Sequence, residues 1–202
     1  MGTLSLAVIG TVFGLVALAE LPDKTMIATL VMGSRYRPVR VWAGASAGFL
    51  VHAAVAVVAG RLVALLPHQA LEIVTTVLFA AGAAYLLVVP ERREAEQGAA
   101  EAGAAKVAAA AGPWRVVATA FAVILVGELG DLTQLLMLNL AARYHQPVSV
   151  FIGGFAALVG VAAVGAWGGR ALLRWVPLQL VRRAGGVALL GFAAYGIYSL
   201  LA

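Results

Sequence analysis

The sequence predicts an all-α integral membrane protein with six transmembrane helices arranged as two inverted three-helix repeats. Three observations carry this expectation. Of the 202 residues 63% are hydrophobic and only 11% are charged, with a mean hydropathy of +0.99, whereas soluble globular chains are about 45–50% apolar and about 25% charged. Six stretches reach the roughly 20 mostly apolar residues that a helix needs to cross hydrocarbon. The polar residues of the first half recur in the second. Composition disfavours soluble enzymes, nucleic-acid-binding modules and disordered chains. The absence of cysteine excludes disulfides, thiolate metal sites and cysteine nucleophiles.

The apolar stretches cover residues 3–33, 41–60, 70–89, 114–140, 148–168 and 184–201. No Lys or Arg precedes the first of them, which argues against a cleaved signal peptide. The chain divides into a first three-helix repeat (1–89), a cytoplasmic linker (90–113) and a second three-helix repeat (114–202). The linker, with Glu91, Arg92, Arg93, Glu94, Glu96, Glu101 and Lys106 among Ala and Gly, reads as a solvated tether or a frayed helix.

Charge sets the expected orientation. If the spans alternate, one side collects Arg35, Arg37, Arg40, Arg92, Arg93, Lys106, Arg115, Arg170, Arg174, Arg182 and Arg183, and the other only Arg61 and Arg143. The positive-inside rule then puts the basic side in the cytoplasm and both termini outside it. The net charge of +5 is therefore a topology signal, and no nucleic-acid partner is expected.

The repeat is specific. Glu20, Leu21, Asp23, Thr25, Arg35 and Tyr36 recur 108 residues later as Glu128, Leu129, Asp131, Thr133, Arg143 and Tyr144, and Arg61 recurs 109 residues later as Arg170. Three spans per half is an odd number, so the halves are expected to lie in opposite orientations. Many secondary transporters share that plan, with the substrate site near the midplane.

Four of the nine acidic residues lie inside apolar spans: Glu20, Asp23, Glu128 and Asp131. A carboxylate there costs at least about 2.5–3.5 kcal/mol on insertion scales, which marks a pathway or site. Four carboxyls from two inverted helices suit a hard divalent cation that takes oxygen ligands, such as manganese or calcium. The alternative is a set of protonated or ion-paired carboxyls that glue helices together. Pro22 and Gly130 occupy the same motif position and break helix geometry, freeing the carbonyls of Leu18 and Val126 as further ligands or marking a simple packing kink. Thr25 and Thr133 could add hydroxyl oxygens only if the helix unwinds locally. Gln134 stands three residues after Asp131 and faces the site better; its counterpart is Met26, a thioether or plain packing.

Lys24 stands four residues after Glu20, an ion-pair spacing, whereas the matching residue of the second half is Leu132. Glu128 is therefore expected to carry the counter-transported proton, with Glu20 and Lys24 as its companions in proton coupling. His52, inside the second span, is a proton relay or a packing residue. His68 and His145 are loop residues, and Glu72 is an interfacial acid at a helix start. No Walker loop, dinucleotide-binding glycine signature or Ser/His/Asp arrangement occurs, so neither catalysis nor ATP-driven transport is expected.

Glu20-Leu21-Pro22-Asp23-Lys24-Thr25 and Glu128-Leu129-Gly130-Asp131-Leu132-Thr133 resemble the paired Glu-x-Gly-Asp-Lys/Arg-Thr/Ser signatures of a cation (Ca2+/Mn2+)/proton exchanger family. It includes Golgi calcium/manganese transporters and bacterial manganese exporters, and is grouped with the lysine-exporter superfamily. The resemblance spans essentially the whole chain. It implies exchange of a divalent cation for protons, with Glu20, Asp23, Glu128 and Asp131 as metal ligands and Thr25, Thr133 and Gln134 as further candidates. Pro22 in place of glycine and Leu132 in place of a basic residue depart from the pattern, leaving the symmetry of the half-sites and the stoichiometry open.

The expectation is thus a multi-pass antiporter of the cell inner membrane that exports manganese, with calcium second, against inward protons. The metal is cargo and no cofactor is expected; the partners are the cation, protons and the lipid bilayer, with a homo-oligomer left open. The rivals are a divalent cation channel, an exporter of a small organic cation such as a basic amino acid, and a non-transporting scaffold.

Overall fold

The computed structural model describes residues 4–21, 23–88, 96–100, 112–175 and 178–201, and the statements below concern these. Every regular element among them is an α-helix: α1 (Leu6–Glu20), α2 (Lys24–Gly33), α3 (Pro38–Val63), α4 (His68–Val88), α5 (Pro113–Gly127), α6 (Leu132–Tyr144), α7 (Pro147–Trp175) and α8 (Leu178–Leu201). Helices are the expected outcome, because a chain this apolar must satisfy its backbone polar groups within each segment. Proline opens α3, α5 and α7, where its missing N–H costs no hydrogen bond. Ser5 caps α1: its Oγ accepts from the Val8 N–H at 3.4 Å, while its own N–H donates to Ser149 Oγ at 3.1 Å.

Four of these helices, α3, α4, α7 and α8, are long and apolar enough to cross a membrane. The first and fourth spans expected from the sequence are not continuous. α1 and α2 meet at 73° and α5 and α6 at 70°, so among the described residues four helices qualify as spans by length and composition, or up to six if each bent pair is one span. The second break is legible bond by bond. Glu128 N–H still reaches Ile124 O at 3.0 Å, but Leu129 N–H slips to Val126 O at 3.3 Å. Gly130 then takes φ +75°, a left-handed conformation that costs an L side chain about 1–2 kcal/mol, and Asp131 is extended at ψ 163° before α6 restarts. In the first break Leu21 N–H bonds Ala17 O at 2.9 Å and Asp23 is extended at ψ 164°. The expectation for Pro22 lies outside the described residues.

The packing is reciprocal. α3 lies against α5 and α6, and α7 lies against α1 and α2, while α4 packs along α8. Small residues allow the close approaches, as in other membrane bundles. A Cβ at Gly44 would fall on the Val117 carbonyl oxygen, and one at Gly153 on that of Ile9. These are equivalent places in the two halves, one on α3 against α5 and one on α7 against α1. Phe79 of α4 stacks on Phe192 of α8 with ring centroids 5.2 Å apart, and Trp42 donates to Val159 O at 3.1 Å between α3 and α7.

Of the two readings of the linker, a solvated tether or a frayed helix, the described part is helical. Residues 96–100 are helical, and Gly98 is buried against the start of α2, where a Cβ would stand 2.9 Å from Ile27 Cβ. The other linker residues of 90–111 that carried that expectation, Glu91, Arg92, Arg93, Glu94, Glu101 and Lys106, lie outside the described set.

Candidate cation site

The two breaks bring the repeated pattern of acids in the two halves to the same place. Glu20 ends α1 and Glu128 follows the last residue of α5; Asp23 and Asp131 are the N-caps of α2 and α6. Neither aspartate caps its own helix with its side chain, although N-cap aspartates usually do. Their carboxylates are turned to other partners. The breaks also aim the positive amide ends of α2 and α6 at the region where the acids gather.

Glu20, Asp23 and Glu128 are buried at 0%, 5% and 2% exposure. They offer one carboxylate oxygen each, and these oxygens lie within 4.8 Å of one another. Oxygens on opposite sides of one calcium ion stand about 4.6–5.2 Å apart, twice the usual Ca–O distance, so the three fit a single coordination shell. Both threonines serve Glu20. Thr25 Oγ1 donates to Glu20 Oε1, with Asp23 Oδ2 a longer acceptor at 3.4 Å, and Thr133 Oγ1 donates to Glu20 Oε2 at 2.8 Å. The unwinding that their participation requires is present. Glu128 is treated differently: its Oε1 is buried without a hydrogen-bond partner. An acceptor left that way costs about 1–3 kcal/mol, more when charged, so Glu128 is the member of the cluster whose environment is incomplete without a proton or a cation.

Several expectations need correction. Lys24 does not pair with Glu20. It bridges the halves to Asp131, Nζ to Oδ1 at 2.8 Å, with side-chain exposures of 14% and 12%. Asp131, so engaged, is outside the group of three convergent carboxylates. Gln134 does not face the carboxylates: its Oε1 accepts from the Gly130 N–H at 2.8 Å and its Nε2 lies 3.3 Å from His52 Nδ1. The Val126 carbonyl is not free, since it accepts from Leu129; the carbonyl that the break releases is that of Leu125, and His52 Nε2 takes it at 2.9 Å. Met26 is fully buried, as packing would have it.

Sequence reasoning missed a further buried polar contact between the halves. Asn139 Nδ2 donates to Thr75 O at 2.8 Å, and no local spacing signals a bond that joins α6 to α4. Glu72 accepts from Ser199 Oγ at 2.6 Å and, with Leu71, Thr75, Arg143 and His145, lines a cavity of about 210 Å³.

A family model described as divalent cation/proton antiporter GDT1 matches residues 8–94 and again residues 116–202. The chain belongs to that family. The two GDT1 matches stand 108 residues apart, the spacing of the repeated acids. The chain is also similar to the GDT1-like protein sll0615 of Synechocystis sp., at 25% identity over 197 residues, covering 93% of this chain and 95% of that protein. No solved structure matches it. Membership of the GDT1 family makes the chain a transporter of the divalent cation/proton antiport class and not an enzyme.

Proposed function

We propose that the chain exports manganese, with calcium as the second cargo, from the cytoplasm in exchange for inward protons, and that Glu20, Asp23 and Glu128 hold the cation. One observation carries this reading: three buried carboxylates from both halves converge to within one coordination shell, and one of them has a bare oxygen. Carboxylate and hydroxyl oxygens suit manganese and calcium over softer metals. Asp131 joins when Lys24 releases it, and Thr25 and Thr133 orient Glu20. Gln134 supports the second break instead of ligating.

Coupling follows from competition for the same oxygens. Four carboxylates and one ammonium carry a net charge of −3 when all are ionised. One divalent cation or two protons bring it equally to −1, so either occupant leaves the buried site with the same charge. Glu128, whose Oε1 has no donor among the described residues, takes a proton whenever the cation leaves, and Glu20 is its partner in this. The Lys24–Asp131 bridge keeps the charge of the fourth carboxylate paired meanwhile. The reciprocal packing of α3 and α7 supports six spans in two inverted repeats, residues 1–89 and 114–202 joined by the linker 90–113. The arginine bias supports an inner-membrane orientation with both termini outside the cytoplasm. The burial of the carboxylates favours an exchanger over an open cation pore, in which they would be wet.

The test uses purified protein in liposomes with an imposed pH gradient, an internal metal dye and a pH dye, beside Asp23→Asn and Glu128→Gln. Manganese flux matched by opposite proton flux and lost in both variants supports the reading. Metal flux that ignores the gradient overturns it in favour of a channel. Flux competed by a basic amino acid and surviving chelation overturns it in favour of an organic cation.

A further inference from the structure

We infer that His52 is a positioning residue of the cation site: it fastens the broken helix of the second half to α3 and so fixes where Glu128 and Asp131 stand. His52 lies on α3, in the first repeat, at 4% exposure. Three hydrogen bonds form one directed chain across the break. Gly130 N–H donates to Gln134 Oε1 at 2.8 Å, Gln134 Nε2 donates to His52 Nδ1 at 3.3 Å, and His52 Nε2 donates to Leu125 O at 2.9 Å. The directions are forced at both ends, because a backbone amide only donates and a carbonyl only accepts. They are satisfied together only by a neutral imidazole protonated on Nε2.

The chain's two ends bracket the cluster in sequence. Leu125 carries the first carbonyl of α5 to lose its i+4 amide partner, and Gly130 is the left-handed residue on which the backbone turns. Between them lies Glu128, and directly after them Asp131. A released carbonyl and an amide at a break are the two groups whose satisfaction decides whether a kink is rigid or loose. Here one imidazole and one carboxamide satisfy both, and they tie the kink to a helix of the other half. The angle at which α5 meets α6 therefore depends on α3.

The first half has no such device. The motif spacing places Met26 opposite Gln134, and the spacing that relates Arg61 to Arg170 places Val161 opposite His52. Both are buried and neither offers a hydrogen-bonding side chain. The two half-sites therefore differ in stiffness as well as in their basic residue. The second is anchored through His52; the first is held through Thr25, Thr133 and Glu20 inside the cluster itself. His52 touches no carboxylate of the cluster, so its effect is carried by Leu125 and Gln134.

The transport arm of the test rests on the proposed cation exchange; a second arm does not. His52→Leu, His52→Gln, Gln134→Met and the double variant His52→Leu/Gln134→Met are made in the full-length protein. Amide hydrogen exchange is followed over residues 125–131, and manganese KM and maximal rate are measured in liposomes. His52→Leu is expected to speed exchange of the Gly130 amide about tenfold and to raise KM about tenfold while the maximal rate changes less than about twofold. His52→Gln, whose carboxamide can both donate to Leu125 and accept from Gln134, restores both to within about threefold. The double variant is no worse than the worse single one, because both cut the same chain. Unchanged Gly130 exchange in His52→Leu overturns the proposal, as do additive effects of the two substitutions. If the native protein moves no cation, the proposed function falls while the exchange arm still decides the tether. If His52→Leu fails to fold, His52→Gln and Gln134→Met give the same decision.

Discussion

Replacing Lys24 with leucine makes the first motif match Leu132 of the second and isolates what the cross-half bridge does. The bridge spans 2.8 Å, and both partners are more than four-fifths buried. Removing one member of such a pair costs about 3–5 kcal/mol if the other stays charged. A bound cation shared with Asp131 offsets part of that cost. If cation binding recovers a third to a half of it, about 1–2.5 kcal/mol, affinity rises about 5–70-fold. Turnover falls, because a cation held by four carboxylates is released more slowly. Lys24→Arg keeps the charge and behaves as the native protein. Competition with a fluorescent chelator in detergent, at pH 8 and pH 6 for manganese and calcium, measures the effect. Cation affinity in Lys24→Leu equal to or below native at both pH values would refute the reasoning.

Other outcomes follow from the same geometry. Glu128→Gln keeps the shape of the side chain but removes its titration, so manganese binding in weak buffer should release about one proton fewer per site than in the native protein, read directly by a pH electrode. Thr133→Val removes the 2.8 Å bond to Glu20; a hydrogen bond to a charged group contributes about 1.5–3 kcal/mol, so the melting temperature in detergent should fall by about 3–12 °C and recover in Thr133→Ser. Gly44→Ala and Gly153→Ala each push a methyl group onto a carbonyl oxygen of the facing helix and should destabilise by about 1–3 kcal/mol. Gly10→Ala meets nothing within 4 Å and should melt like the native chain.

The membrane class, the apolar stretches and the four acids were legible because each rests on a cost that sequence displays: apolar length, and charge where charge is expensive. What failed were the spacing arguments made across the breaks. Lys24 pairs with Glu20 only if the helix runs unbroken between them; with Asp23 extended, Lys24 points to Asp131 of the other half. Gln134 fails for the same reason. An i,i+3 relation to Asp131 presumes helix, but Asp131 is an extended N-cap, and the carboxamide turns back to Gly130. Composition left the linker open between a solvated tether and a frayed helix, and it cannot register that Gly98 lets a helical stretch settle against Ile27. His52 was seen as an isolated polar residue in a span. Its partner is a carbonyl 73 positions away whose release depends on a break in another helix, and no single-chain spacing encodes that.

The reciprocal packing of α3 on α5 and α6 and of α7 on α1 and α2 bears on how such a chain is born. Each half lends its longest inner helix to the other, and within a half the substantial contacts are confined to α2 with α3 and α6 with α7. Residues 1–89 leaving the ribosome have no mates for the glycine face of α3, so the nascent half waits in the bilayer until α5 arrives. Two separately synthesised halves would meet the same need by finding each other.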